Sequence, residues 1–261
     1  MKKSTNIHLL ASSLLLLFLQ CAGIQEIEEA DFISGQKIRY YSSLHPESVK
    51  MIQRIRANEE KRSYQALYDM KIVTEYPVKK NFSAKVKVVS DPGSMKVRIF
   101  LMDPFFGMVF SQVIADENTI SIKSGDNIDK IPMGDLVLND PKTERKIVIP
   151  FTVIYSFLVS RPLRELQNHP AFYNNAAEMC TVRKPGEKFT YQFYEGRLRA
   201  VELFSEKTGT RAIAAVENSV FPPTSLSAKV VDNRLNRQKD LVMLKRRSIR
   251  YRDMTEKDFI Y

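Results

Sequence analysis

Residues 98–126 read RIFLMDPFFGMVFSQVIADENTISIKSGD, and the pattern around this stretch decides the fold class. The apolar residues before its turn recur at every second position, as in a half-buried β-strand: Val97, Ile99 and Leu101. Asp103-Pro104 and the following Gly107 mark a chain reversal, after which the apolar residues resume. The stretch therefore predicts two antiparallel strands that are joined by a hairpin turn.

The turn of this hairpin carries two adjacent aromatic residues, Phe105 and Phe106, where polar residues are expected. One interpretation is that the tip folds back and both rings pack in the protein's own core. The other is that the rings are exposed, which forgoes about 1.5 to 3 kcal/mol of burial for each ring. A membrane or an apolar cargo chain could recover that free energy.

The two-residue period continues on both sides of the hairpin. Val86 and Val88 alternate with lysines upstream, and Ile120 and Ile122 flank Ser121 downstream. Further predicted strands cover residues 189–194, 198–204, 211–217, 226–231 and 241–249. Because short, turn-rich spacers separate them, we expect an antiparallel meander in a mainly β protein.

Two segments interrupt this pattern with a helical period. Ser42 and Ser43 are predicted to cap a first helix that continues through residue 60. Pro150 is predicted to open a second helix, which Arg161-Pro162 ends. The second helix has one apolar face: Phe151, Ile154, Phe157 and Leu158. A lone apolar helix within a meander is either a lid or plug for the sheet or an ordinary part of the core.

The amino terminus has the features of an export signal. Lys2 and Lys3 precede an uncharged apolar run at residues 7–19, which is too short to span a bilayer comfortably and stops at Cys21. The run resembles a bacterial lipoprotein signal, in which the cysteine is acylated with chains such as palmitate. An ordinary secretory peptide or an uncleaved anchor is the alternative. Two or three long acyl chains would hold the protein firmly on a membrane.

Few side chains in the sequence suit catalysis. His45 and His169 are the histidines outside the signal, and neither has metal-ligand spacing or an obvious carboxylate partner. Cys180 lacks the local features of a nucleophile and is interpreted as a small buried thiol. The sequence contains neither a phosphate-binding glycine loop nor a Gly-x-Ser-x-Gly elbow. We therefore expect a protein that is not an enzyme and that needs no cofactor or metal.

The chain is basic, with a formal net charge of +10, and part of that charge is concentrated near its carboxyl end. Residues 234–252 hold eight basic residues and one acid. Such a stretch could contact anionic lipid headgroups or nucleic acid, and export argues against nucleic acid. The alternative is a solvated strand edge that lysine and arginine protect from aggregation.

The order of elements resembles that of LolB-like outer-membrane lipoprotein receptors and, more loosely, of their LolA carriers in the LolA/LolB superfamily. The motifs that carry this resemblance are the strand and DPFFG loop of residues 98–126 and the Ile-Pro-led helix IPFTVIYSFLVSRP of residues 149–162. Strand-like similarity continues through residues 188–205 and 221–233. The resemblance implies an unclosed antiparallel β-barrel around an apolar cavity, with an N-terminal helix and a lid or plug helix.

The resemblance also implies roles for particular residues. Phe105 and Phe106 match the protruding apolar loop that delivers cargo into the bilayer. The inward faces of the strands and of the lid helix would line a cavity for acyl chains: Val97, Ile99, Leu101, Ile154, Phe157, Leu158 and Phe193. Ordinary core packing predicts the same residue types.

The implied organisation is a signal peptide at residues 1–20, a tether at residues 21–35 that follows the lipidated Cys21, and a single lipid-binding domain at residues 36–261. The expected partners are acylated lipoproteins or other lipid, a periplasmic LolA-like carrier, and the outer membrane through the lipid anchor, on its periplasmic side. Nucleic acid is not expected as a partner, and a monomer is. Two alternatives remain, a surface-exposed lipoprotein that binds host or envelope ligands and a carrier of free lipid or glycolipid.

Overall fold

The computed structural model describes residues 26–30, 37–74, 79–139, 146–160, 169–218, 220–232 and 237–261. The predicted signal peptide, Cys21 and most of the predicted tether lie outside these residues. Within the proposed tether, the backbone of Glu26–Ala30 forms a strand that pairs with Lys37–Ser42.

Seventeen strands make up most of the described chain. Their bounds are β1 (Glu26–Ala30), β2 (Lys37–Ser42), β3 (Tyr64–Thr74), β4 (Lys80–Asp91), β5 (Lys96–Met102), β6 (Val109–Ala115), β7 (Thr119–Ser124), β8 (Asn127–Pro132), β9 (Leu136–Asn139), β10 (Lys146–Ile149), β11 (Ala171–Asn174), β12 (Met179–Lys184), β13 (Glu187–Tyr194), β14 (Arg197–Ser205), β15 (Thr210–Val216), β16 (Ser225–Asp232) and β17 (Arg237–Tyr251). The strands predicted near the carboxyl end are confirmed, with slightly different bounds.

Fifteen of these strands form one antiparallel sheet in the order β1-β2-β11-β12-β13-β14-β15-β16-β17-β3-β4-β5-β6-β7-β8. The order contains two meanders, β3 to β8 and β11 to β17, which join where β17 pairs with β3. Strands β1 and β8 are the edges, and no pairing between described strands connects them, so the barrel is not closed. Strands β9 and β10 form a separate two-stranded hairpin.

Alternation of side chains explains which face of the sheet is buried. In β5 the burial pattern alternates along the whole strand, with the predicted apolar residues on the inner face. Neighbouring strands place their buried residues in register, so that one row of apolar side chains crosses five strands: Ala66, Val88, Ile99, Val113 and Ile122. The inner face of the sheet is therefore the main core of the protein.

Two α-helices accompany the sheet in the part of the chain that the structure describes. Helix α1 (Pro46–Ala57) is capped by His45, whose Nδ1 accepts a hydrogen bond from the backbone N–H of Glu47 at 3.3 Å. The prediction that Ser42 and Ser43 provide the cap is wrong, because the chain is still extended through Ser42 in β2 and turns only afterwards. The helix ends three residues earlier than predicted.

Helix α2 (Phe151–Leu158) begins directly after Pro150, as predicted. All eight of its residues are buried, so the helix lies inside the curved sheet and not on its surface. It packs against β14 and β15 of the second meander, and it hydrogen-bonds to residues of the first. None of the helices in the described part of the chain has the length and apolar composition needed to cross a membrane.

Candidate functional site

The loop between β5 and β6 is held in a defined shape by Asp103. One carboxylate oxygen of Asp103 accepts hydrogen bonds from the backbone N–H groups of Phe105 and Phe106, at 2.8 and 2.7 Å. The Asp103 backbone N–H donates to the Met108 carbonyl, and its carbonyl accepts from the Gly107 N–H. Gly107 has a φ of +70°, in the left-handed region that glycine adopts without strain. The loop is therefore a hydrogen-bonded turn.

This turn directs both aromatic rings away from the core. Phe105 is 85% exposed and Phe106 is 81% exposed, so the interpretation in which the tip folds back onto the core does not hold. Other exposed apolar side chains extend the surface: Met108, Val109, Phe110 and Phe82. The rings of Phe82 and Phe110 meet edge to face, with centroids 6.4 Å apart. The loop and the strand residues beside it thus carry a group of exposed apolar side chains, and such groups mark contact surfaces.

A small apolar cavity of about 50 Å³ lies at the inner face of the sheet, and the strands on both sides of this loop line it with Leu101 and Ser111. Four of the predicted cavity residues line it: Ile99, Leu101, Ile154 and Leu158. Val97, Phe157 and Phe193 belong to the same core but do not line the cavity. The single hydroxyl of the lining belongs to Ser111 and donates to the Lys123 carbonyl, so the cavity presents no free polar group among the described side chains.

The volume of this cavity is far below that of a ligand site. A water molecule occupies about 30 Å³ in the liquid, and ligand pockets measure roughly 300 to 1,000 Å³. The side chains of α2 occupy the interior that the sheet encloses. With α2 in place, the cavity has no room for a ligand of ordinary size.

Buried hydrogen bonds fix α2 in place at its carboxyl end. The Leu158 carbonyl accepts two of them, from the Tyr64 hydroxyl at 2.9 Å and from the Ser90 hydroxyl at 2.7 Å. The Tyr155 hydroxyl donates to the Met95 carbonyl in the turn between β4 and β5. Burial raises the pKa of the Tyr64 phenol, which keeps it protonated as a donor. The helix is therefore held by a few polar contacts in an otherwise apolar interior.

Comparison with solved structures finds similar folds. A LolA superfamily protein from Nitrosomonas europaea matches 82% of this chain and 97% of its own, at 10% identity and a TM-score of 0.51. The chain therefore has a LolA-like fold. An outer membrane lipoprotein-sorting protein domain from Vibrio parahaemolyticus matches 81% of this chain and 95% of its own, at 12% identity and a TM-score of 0.43. No protein-family model matches the sequence, and no curated protein matches it either.

Cys180 and His45, two side chains that could take part in chemistry, contribute to the packing and the helix capping of this LolA-like fold. Cys180 is free and fully buried, as predicted, and burial raises the pKa of its thiol. His45 caps α1. Across the part of the chain that the structure describes, no group of three or more His, Cys, Asp or Glu side chains is placed to hold a metal ion.

Sequence reasoning missed several residues of the cavity in this LolA-like fold. Three of them come from strands far from the hairpin in sequence: Met70, Val242 and Leu244. Alternation alone would mark them as buried. Their position at the cavity follows from the β17–β3 pairing, for which the sequence holds no local signal.

Proposed function

We propose that the protein is a lipid-anchored receptor or carrier. It binds the acyl chains of lipoproteins in the apolar interior of the sheet and transfers them to the outer membrane. The observation that carries this proposal is the pair of exposed phenylalanines on a hydrogen-bonded turn, next to an apolar interior that a single helix fills. The LolA-like fold supports it. In this proposal Cys21 carries the lipid, and the protein acts without covalent catalysis.

The loop is suited to enter a bilayer because its rings already point outward. An apolar side chain that moves from water into lipid gains about 1.5 to 3 kcal/mol. The Asp103 hydrogen bonds hold the turn before contact, so little conformational entropy is lost when it inserts. Phe105 and Phe106 would then connect the interior of the protein with the membrane.

Release of α2 and uptake of an acyl chain involve free energies of the same order. Exposure of the predicted apolar face of α2 costs about 6 to 12 kcal/mol, at about 1.5 to 3 kcal/mol for each side chain: Phe151, Ile154, Phe157 and Leu158. The buried Val153 and Tyr155 and the hydrogen bonds of α2 add to that cost. A sixteen-carbon chain gains about 11 kcal/mol at about 0.8 kcal/mol per methylene. The gain does not exceed the cost, so a bound acyl chain can be released again, as a carrier requires.

A transfer assay with loop variants tests the proposal. The double variant Phe105→Glu/Phe106→Glu should reduce the transfer of an acylated lipoprotein from a carrier to liposomes by at least about tenfold, because about 1.4 kcal/mol of lost insertion energy already corresponds to a tenfold change. Thermal unfolding should stay near that of the wild type, since both rings are outside the core.

The matched control is Leu44→Glu/Ile260→Glu. These two residues are also exposed, at 71% and 59%, but they lie outside the loop, before α1 and after the 3-10 helix Glu256–Phe259. The control should transfer cargo at the wild-type rate. Normal transfer by the folded loop variant would refute the role of the loop.

The class of cargo is tested separately by mass spectrometry of the purified native protein. Lipopeptide or lipoprotein in the interior supports the proposed function. Free glycolipid or phospholipid would instead make the protein a carrier of free lipid. Protease treatment of intact cells should spare a protein that faces the periplasm, and digestion would place it on the cell surface.

A further inference from the structure

We propose that a groove on the outer face of the sheet, beside the aromatic loop, binds the phosphate headgroups of anionic glycerophospholipids when the loop enters the membrane. The inference rests on the proposed membrane contact of Phe105 and Phe106. It adds a second, polar point of contact and a preference for one class of lipid.

The groove is formed by side chains that alternate with the core. It has a volume of about 800 Å³ and crosses strands β15, β16, β17, β3 and β4. Met70, Ala84 and Leu244 are buried on the inner face, so their strand neighbours Lys71, Lys85 and Lys245 face outward into the groove. Pro104, which immediately precedes Phe105, also lines it. The groove therefore borders the loop at Pro104.

The side chains of three lysines of the groove are without a partner among the residues that the structure describes. Lys71, Lys85 and Lys245 make no side-chain hydrogen bond or ion pair with any of these residues. Lys245 and Lys85 flank Asp69 on the neighbouring strands, because Asp69 pairs with Lys245 in β17 and with Lys85 in β4. Their ammonium groups thus converge on one stretch of surface.

The acidic residues of the groove do not neutralise it. Asp69 forms an ion pair with Arg247, and Glu217 is the other acid. Four basic and two acidic side chains leave an excess of positive charge. The lysine side chains are also longer than that of Asp69, so their charges extend above its carboxylate. An anion that approaches from solvent meets the ammonium groups first.

Membrane geometry favours a lipid phosphate as the occupant. Lys85 pairs with Met102, the last residue of β5 and only three residues before Phe105. When the two rings enter the acyl region, the groove is at the level of the headgroups. Each lysine near an anionic membrane surface contributes about 1 kcal/mol, which corresponds to about a fivefold gain in partitioning.

A vesicle-partitioning experiment tests this inference. The full-length protein is mixed with phosphatidylcholine vesicles and with vesicles in which about a third of the lipid is phosphatidylglycerol, and the ratio of the two partition coefficients is measured. Contributions from the lipid anchor and the aromatic rings are common to both vesicles and cancel in this ratio. The triple variant Lys71→Gln/Lys85→Gln/Lys245→Gln should lower the ratio by at least about tenfold.

The matched control is Lys50→Gln/Lys61→Gln/Lys257→Gln, which changes net charge by the same amount. Lys61 lies before β3, whose first residue Tyr64 is about 23 Å from Lys71 along the strand at 3.3 Å per residue, well beyond a Debye length of about 8 Å. The control should change the ratio by less than about threefold. Asp69→Asn should raise the ratio, because it removes an acid from the groove and frees Arg247.

Each result of the vesicle experiment either supports or overturns the groove proposal. Equal effects of the two triple variants would mean that only net charge counts, and no effect of the groove variant would also overturn the proposal. Loss of cargo binding in solution with an unchanged ratio would assign the groove to an acidic peptide instead. Phe105→Ser/Phe106→Ser should weaken partitioning into both vesicles by the same factor. If that variant partitions normally, the loop proposal fails. The ratio of the two partition coefficients still tests the groove proposal in that case.

Discussion

Asp103 shows how one polar residue can maintain an apolar surface. Its carboxylate accepts hydrogen bonds from the backbone N–H groups of Phe105 and Phe106, so both donors have a partner within the loop. The same residue closes the turn through its own backbone, by bonds to Met108 and Gly107. The rings are thereby held in water even though their burial would be favourable.

We predict that Asp103→Ala loosens this turn. The loss of two charge-assisted hydrogen bonds at an exposed site should reduce the free energy of unfolding by about 1 kcal/mol. Amide hydrogen exchange at Phe105 and Phe106 should accelerate, and lipoprotein transfer should fall several-fold, because the rings must be ordered on insertion. Asp103→Asn keeps an acceptor oxygen and should stay close to the wild type. Unchanged exchange in Asp103→Ala would show that the carboxylate does not hold the loop.

At the scale of elements, α2 is the part whose movement the proposed function requires. Its carboxyl end is held by the hydroxyls of Tyr64 and Ser90, which both donate to the Leu158 carbonyl. Ser160, two residues later, has a φ of +57°, which is unfavourable for a non-glycine residue. The helix therefore combines complete burial with few specific tethers.

We predict that Tyr64→Phe/Ser90→Ala makes the interior easier to open. The double variant leaves the Leu158 carbonyl without these donors, which should cost the closed state about 1 to 3 kcal/mol. Uptake of a fluorescent fatty acid should therefore strengthen by about tenfold.

Tyr68→Phe is the control for this prediction. Tyr68 is also fully buried in β3, but its hydroxyl donates to the Pro223 carbonyl and not to α2. The control should lower stability with little effect on uptake. Equal uptake by the double variant and the control would contradict a role of α2 as a movable plug.

The elements differ in how far they could be predicted from sequence. Strands such as β5 and the start of α2 follow from local information, namely alternation and a proline at the first turn. The cap of α1 was mispredicted because two serines precede His45, and residue type alone does not tell which of the three ends the extended chain. The exposure of Phe105 and Phe106 stayed open for a similar reason, since the hydrogen bonds of Asp103 and not hydrophobicity decide it.

At the scale of the whole molecule, the sheet depends on the pairing of β17 with β3. This pair joins residues 237–251 to residues 64–74 and places the two meanders side by side. The cavity lies next to this junction, where Met70, Val242 and Leu244 come together. Local patterns cannot reveal such a junction, because its two strands are far apart in the sequence.

We predict that Leu244→Ala weakens the molecule at this junction. Leu244 is buried and already borders the cavity, so its truncation enlarges an empty space and should cost about 2 to 5 kcal/mol of unfolding free energy. Met243→Ala, on the outer face of the same strand, should cost clearly less. Chemical denaturation of the two variants measures the difference, and equal losses would show that the junction does not depend on inner-face packing.

The β17–β3 junction also has a consequence for the way the protein is made. On the ribosome, β3 to β16 emerge before the strand that completes the centre of the sheet, so the nascent chain exposes the β3 edge and unburied core residues until β17 has been made. Such long-range pairing raises contact order, which slows folding. The chain should thus depend on chaperones that shield this edge, and the slow folding fits the export that the proposed function requires, because a secretion channel accepts only extended polypeptide.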